Sequence, residues 1–357
     1  MIDIVIGLQY GDEGKGKVVN YLAECHKYDL CIRYNGGCNA GHTVYVDKTE
    51  TSSVKIVTHL VPSGIIHGIP SIIGDNCYID LEKLKKELED LKSNKIELKN
   101  KLFISNKCHI ITEKHKEEDG NDTIIGTTKS GIGPCATDKY NRCGIKIDEM
   151  LLKEYGLEMI ELIDVSEYIM NLIKYKNNSS KFPNILIEGA QGFGLDINHG
   201  DYPYVTSSHC ISTDCFNIGI PIFQLMKRKE IVTIYGIAKI YETYVGAKKF
   251  QGSGDVLDEF QKEGNEYGAT TNRKRQCNYL NLNLLIDSCW INQVDKLIIN
   301  KCDIIKKIGV YKLYYNDAMF TFKYFIKMRN FIIDKLCSHI FWLNGSNIMW
   351  SETPYGI

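Results

Sequence analysis

Five stretches of this 357-residue chain combine small residues with charged or hydroxylated ones in spacings that can do chemistry. The first is Gly7-Leu8-Gln9-Tyr10-Gly11-Asp12-Glu13-Gly14-Lys15-Gly16-Lys17. Glycines let backbone N–H groups close on a phosphate, and a helix starting just after adds its dipole. Gly11 to Lys17 fits G-x-x-x-x-G-K, but Val18 stands where a phosphate loop needs Ser or Thr to hold Mg²⁺. Asp12 is the carboxylate placed to substitute for that hydroxyl.

The second stretch is Gly36-Gly37-Cys38-Asn39-Ala40-Gly41-His42-Thr43. An imidazole in a small-residue loop can polarise or protonate an oxygen near neutral pH. The third, Gly126-Thr127-Thr128-Lys129-Ser130-Gly131, has the hydroxyls and glycines of a phosphate cradle, although a surface loop reads the same way. The fourth is Asn300-Lys301-Cys302-Asp303, an N-K-x-D arrangement after an apolar run. Its carboxylate can accept from guanine N1–H and the exocyclic amine together, a pair that adenine does not offer. The fifth, Gly268-Ala269-Thr270-Thr271-Asn272-Arg273-Lys274-Arg275, sets threonines and arginines where a dicarboxylate can be held, because guanidinium meets carboxylate bidentately. A basic solvent loop is the competing reading.

These residues need a scaffold. Asp3 to Gly7, Asn184 to Glu188, Ile231 to Ile240 and Lys296 to Asn300 are apolar, β-branched runs that end in glycine or polar loops, which is the pattern of buried strands. Helices are expected from Lys17 to Glu24, over Leu81 to Leu102, and as one or two helices between Met150 and Tyr175. Strands alternating with helices predict an α/β fold with a mainly parallel sheet, and ligands in such sheets bind at the carboxyl ends of the strands. No linker is evident, so a single large domain spanning 1–357 with small insertions is expected.

Composition narrows the class. Lys and Arg number 43 against 44 Asp and Glu, which gives no global pull toward nucleic acid or an anionic membrane. The N-terminus has neither a basic n-region nor a long apolar core, so no signal peptide is expected. The 13 cysteines form no CxxC pair and are odd in number, which fits a reducing, cytoplasmic compartment better than a disulfide framework.

Taken together, GLQYGDEGKGK, NAGHT, HLVPSGI, GTTKSGIGPCATDKYNRCG, EGAQGFGLDINHGDYPYVTSS, GNEYGATTNRKR and NKCD resemble the adenylosuccinate synthetase family. The resemblance runs in order from Ile4 to about Asp303 and is closest to a compact, archaeal or viral-like branch. It implies a large, mainly parallel central sheet flanked by helices with small subdomain insertions, and a nucleotide site like that of P-loop NTPases. It also implies a homodimer that makes adenylosuccinate from IMP, L-aspartate and GTP with Mg²⁺, through 6-phosphoryl-IMP.

Residue by residue, the resemblance implies that Asp12 takes the N1 proton of IMP and ligates Mg²⁺ with the Gly41 carbonyl. His42 would hydrogen-bond the purine 6-oxygen, and Lys15 would stabilise the transferring phosphoryl. Gly11, Glu13, Gly14, Gly16, Lys17 and Arg275 would lie toward GTP, with Asn300, Lys301 and Asp303 at guanine. Asn39, Ala40, Thr128, Gln191 and Thr206 would contact IMP, and Arg142 would reach the nucleotide phosphate in the neighbouring subunit. Thr270, Thr271 and Arg273 would clamp aspartate. Neither nucleic acid nor a membrane is an expected partner.

Three positions depart from the family pattern. Tyr10 stands for Trp, Asn272 for Gly, and Tyr244 for an Arg on the ribose or aspartate side. The Tyr244 departure keeps open a viral-type alternative acting on dGMP, although retention of Asp12 favours IMP. A GTP-binding switch without synthesis is the more remote alternative, and it leaves NAGHT and ATTNRKR unexplained.

Overall fold

The computed structural model describes residues 1–49, 52–177, 182–221, 232–252, 254–268 and 273–353. Its centre is a ten-stranded sheet. The spatial order is Ile348–Trp350, Lys296–Asn300, Val232–Lys239, Ile2–Gly7, Ile185–Glu188, Leu30–Gly37, Ser71–Ile79, Leu102–Ser105 and Glu161–Ile163, with His109–Ile110 also paired to Ser71–Ile79. Every pairing in it is parallel. Helices cover both faces, so the inner strands are apolar on both sides and read as continuous runs. Ile2, Ile4, Val5 and Ile6 are fully buried, at about 1.5–3 kcal/mol for each such side chain.

Two insertions leave this frame. His42–Thr49 and Ser52–Thr58 form an antiparallel hairpin just after the NAGHT loop. Tyr241–Tyr244, Gln276–Asn281, Tyr311–Tyr315 and Ala318–Phe322 build a smaller four-stranded sheet.

The α/β expectation matches this architecture, and local bounds shift for physical reasons. The first helix is Lys15–Cys25, two residues earlier than expected, because Gly14 takes a left-handed backbone (φ 94) and starts the helix itself. The leucine-rich helix runs only from Leu81 to Ser93. Asp80 accepts from the Lys83 N–H at its start, and Asn94 followed by left-handed Lys95 (φ 63) ends it. Leu98 is buried from the following turn, so the apolar spacing outlasts the helix. The stretch from Met150 to Tyr175 holds parts of two helices, Glu149–Glu154 and Val165–Asn177, with the strand Glu161–Ile163 between them.

Candidate active site

The loops after four parallel strands meet at one sheet edge. They follow Ile2–Gly7, Leu30–Gly37, Ile185–Glu188 and Lys296–Asn300, and carry the phosphate-type loop, NAGHT, the Gly189–Gly194 loop and NKCD. Two adjoining clefts lie there, of about 290 and 310 Å³.

The first cleft gathers Gly11, Asp12, Gly14, Lys15, Gly16, Asn39, Ala40, Gly41, His42, Thr128, Gln191 and Arg275. Asn39, Thr128 and Gln191 stand on the wall shared with the second cleft, which adds Thr206 and Tyr244. The chain thus brings together residues more than 260 positions apart in sequence, Asp12 and Arg275 among them, whose carboxylate and guanidinium pair at 2.8 Å.

The phosphate-type loop is built around Glu13. Its buried carboxylate accepts from the Gln9 and Gly11 N–H groups at 3.1 and 2.8 Å and pairs with Lys15 at 2.7 Å. A Cβ on Gly7 or Gly192 would lie 2.4 Å from a Glu13 oxygen, so only glycine lets the two loops close over it. The Glu13 side chain therefore works inside the loop and not in the cleft. Lys15 also donates to the Gln191 carbonyl at 2.5 Å. An ammonium has three donors, so one remains for a ligand.

Asp12 and Gln191 sit in left-handed backbone (φ 59 and 56). Such conformations in residues other than glycine are strained, and they cluster at working sites. Gly16 lies in the first helical turn, where a Cβ would come 2.9 Å from the His42 Cβ. That packing presses His42 against the helix N-terminus, where the free N–H groups and the dipole favour anions.

Of the two expected roles, the surroundings of His42 favour polarising an oxygen over protonating it. Burial and then the Arg33 guanidinium push its pKa down to about 4, so the imidazole is neutral near pH 7. Its Nδ1 contacts Glu188 Oε1 and lies 3.1 Å from Arg33 Nη2. Burial opposes ionisation of Glu188, but Arg33 and then His42 outweigh it and hold the carboxyl at about 2.

The fourth motif positions more than it lines. Asn300 donates to the Glu13 carbonyl at 2.7 Å and ties the NKCD loop to the phosphate-type loop. Lys301 is left-handed (φ 64) and donates to the Gly264 carbonyl at 2.8 Å. Asp303 lies in the first turn of the Cys302–Ile308 helix. Lys17 leaves the cleft to bond Ser351 Oγ and the Thr353 carbonyl at 2.8 and 3.0 Å. Burial lowers its pKa to about 8.

Arg273 donates to the Gly126 and Thr127 carbonyls at 3.2 and 2.9 Å, linking the fifth motif to the third. Thr270 and Thr271 fall outside the described residues, as does Asn272. Arg142 is exposed, left-handed (φ 64) at the end of the Ile132–Asn141 helix, and lines neither cleft.

Two of the family departures meet in space. Tyr10 and Tyr244 pack edge to face with centroids 5.9 Å apart, and both contact Phe250. Lys248 lies over the Tyr10 and Phe250 rings and pairs with Asp201. The two tyrosines are one packing unit at the rim of both clefts.

Sequence reasoning missed a charged layer beneath the site. Arg33, Glu188 and Lys239 are each 1 % exposed or less, and Glu266 braces Arg275 at 2.6 Å and Lys239 at 3.3 Å. The signal was available: Arg33, Glu188 and Lys239 are each the lone charge in their strand, Arg33 midway along it and the other two at the carboxyl end. Charged residues are almost never fully buried unless paired.

Comparison with known proteins finds similarity over most of the chain. The family model described as adenylosuccinate synthetase matches residues 4–163 and 159–320. Adenylosuccinate synthetase of Thermodesulfovibrio yellowstonii is 38 % identical over 349 residues, covering 87 % of this chain and 79 % of the relative. Fully ligated adenylosuccinate synthetase from Plasmodium falciparum superimposes with a TM-score of 0.77 at 26 % identity, covering 99 % of this chain and 97 % of that one. Succinoaminodeoxyadenylate synthetase of cyanophage S-2L, bound to dGMP and dATP, shares the fold at a TM-score of 0.71 and 18 % identity, over 99 % and 93 % of the two chains.

Proposed function

The chain belongs to the adenylosuccinate synthetase family, and from that premise we propose how its residues divide the work. The enzyme is a GTP-dependent ligase that joins IMP to L-aspartate and releases GDP and phosphate. The observation that carries the assignment of roles is the meeting of Asp12, Lys15, His42 and Gln191 in one cleft.

An oxo group is a poor leaving group and phosphate a good one, so activation at the 6-oxygen splits one hard step into two. Asp12 takes the N1 proton of IMP, which places negative charge on the 6-oxygen. That oxygen attacks the γ-phosphoryl of GTP, the bond to the β-phosphate oxygen breaks, and GDP leaves. His42 holds the 6-oxygen, and the free donor of Lys15 meets the charge on the phosphoryl in flight. Phosphoryl transfer demands positioning and charge stabilisation above all. The aspartate amine then attacks C6 of 6-phosphoryl-IMP and phosphate departs with the former oxo oxygen. Arg273, with Thr270 and Thr271, holds the aspartate carboxylates.

Mg²⁺ suits the donors on hand. Asp12 and the Gly41 carbonyl supply hard oxygens at the cleft, and Mg²⁺ commonly takes one or two carboxylates and fills its sphere with phosphates and water. When bound it neutralises phosphate charge. GTP phosphates lie along Gly11, Gly14 and Gly16, with Arg275 close by, and guanine is read by Lys301 and Asp303. The ribose and phosphate of IMP run into the second cleft past Thr128 and Thr206. Arg142, exposed and outside both clefts, serves the nucleotide phosphate of a second copy in a homodimer. All thirteen cysteines are free thiols, in keeping with the cytoplasm, and no helix among the described residues is long and apolar enough to cross a membrane.

Purified protein given Mg²⁺, aspartate and GTP, with IMP and dGMP offered in parallel, tests the reading. Adenylosuccinate from IMP is the expected product. Product from dGMP alone would overturn the choice of IMP and make the Tyr10–Tyr244 rim the mark of a 2-aminopurine enzyme. Absence of product from both would overturn the synthetase reading.

A further inference from the structure

We propose that Glu188 is a positioning residue for His42, turning the imidazole so that Nε2 faces the reacting 6-oxygen. The proposal rests on the activity described above. Glu188 closes the Ile185–Glu188 strand and is fully buried, in register with Arg33 on the neighbouring strand. Its Oε1 accepts from Arg33 Nη2 at 3.1 Å and Ser63 Oγ at 2.8 Å, and it meets His42 Nδ1. Its Oε2 accepts the Ser63 N–H at 2.7 Å.

A carboxylate placed only to neutralise Arg33 would be expected to take the guanidinium fork with both oxygens. It does not. Arg33 Nε and Nη1 are buried without a hydrogen-bond partner, while the oxygen that meets Nη2 is shared with the imidazole. Glu188 is thus turned toward His42 at the expense of Arg33, and Ser63 locks it there from the HLVPSGI loop. With Nδ1 engaged, Nε2 is the ring nitrogen left for the first cleft, which His42 lines. A buried carboxylate behind an imidazole fixes ring orientation and tautomer, which is the general logic of His–carboxylate pairs.

The test uses Glu188→Gln, His42→Asn and the double variant in the full chain. If Glu188 acts through His42, Glu188→Gln lowers kcat at least 30-fold with KM for IMP and GTP within threefold. In the His42→Asn background the same change then moves kcat less than twofold. A merely structural carboxylate would instead multiply the two losses, or lower both melting temperature and kcat alike in each background. Kcat of Glu188→Gln within threefold of wild type would also overturn the proposal. A second arm is independent of turnover: in protein labelled with ¹⁵N-histidine, the His42 ring signals, assigned by their loss in His42→Asn, should show a protonated Nδ1 that Glu188→Gln alters. An unchanged tautomer overturns the proposal even if the wild-type enzyme makes adenylosuccinate. Wild type that shows the tautomer change but no product would sink the activity reading alone.

Discussion

Glu242 is a carboxyl that the fold keeps in the wrong charge state for water, and Glu242→Gln should reveal it as stability that depends on pH. The residue lies in the Tyr241–Tyr244 strand, 3 % exposed, and accepts the Asn281 N–H at 3.2 Å. Burial raises its pKa from 4.5 to about 8, and this outweighs the Asn281 bond and the nearby Lys239 charge. A carboxyl raised in the folded state costs nothing below its unfolded pKa. The cost then grows with pH until the folded pKa is passed. At about 1.4 kcal/mol per pH unit, the penalty is under about 1 kcal/mol at pH 5, about 3 at pH 7 and about 4 at pH 8. Gln is isosteric, can accept the same N–H and has no such penalty. At about 2.1 cal/mol/K per residue for 357 residues, a gain of about 3 kcal/mol raises Tm by about 4–5 °C. Thermal melts of variant and parent from pH 5 to 8 should therefore diverge as pH rises. A Tm difference that is constant across that range would mean Glu242 is ionised and paired throughout, and the burial argument would fail.

Two further outcomes follow from the loop geometry. Asp12→Ala should lower synthesis at least a thousandfold while GTP affinity stays within about tenfold, since general base catalysis alone contributes about 10²–10⁴; steady-state kinetics with equilibrium GTP binding decides, and retained synthesis refutes the assignment. Glu13→Gln unpairs buried Lys15 and weakens two loop N–H bonds, so a loss of about 3–5 kcal/mol is expected with GTP binding at least tenfold weaker; unaltered melting and affinity would mean that the loop does not depend on this carboxylate.

The architecture was legible because the strands are long, apolar and punctuated by glycine. Ile2–Gly7 and Lys296–Asn300 announce themselves, and parallel order follows from their alternation with helices. The motif residues were legible because their types are chemically costly anywhere else. What escaped was contact between distant segments. Nothing local to Glu188 says that it meets His42, although a carboxylate ending ILIE was a cue. The leucine spacing past Ser93 misled because burial of Leu98 and Leu102 needs no helix. The NAGHT loop leaves open whether His42 polarises or protonates an oxygen, because nothing adjacent in sequence fixes its charge. Its burial, and then the charge of Arg33 nine residues away on the preceding strand, keep it neutral.

The place of the first strand in the sheet has a consequence for synthesis. Ile2–Gly7 is flanked by Val232–Lys239 and Ile185–Glu188, so this segment has no strand partner until Ile185–Glu188 follows it about half a chain length later. At roughly 5–20 residues per second, that wait is on the order of ten to forty seconds. An apolar IDIVIG run must spend it unpaired, and the loop proposed to hold phosphate cannot form meanwhile. Chains stalled before residue 185 should bind no GTP and should bind holding chaperones through this segment, whereas GTP binding by such a stalled chain would show that the loop folds without its neighbours. A ligand for the finished enzyme can therefore stabilise it only late, after the strands that complete its floor have arrived.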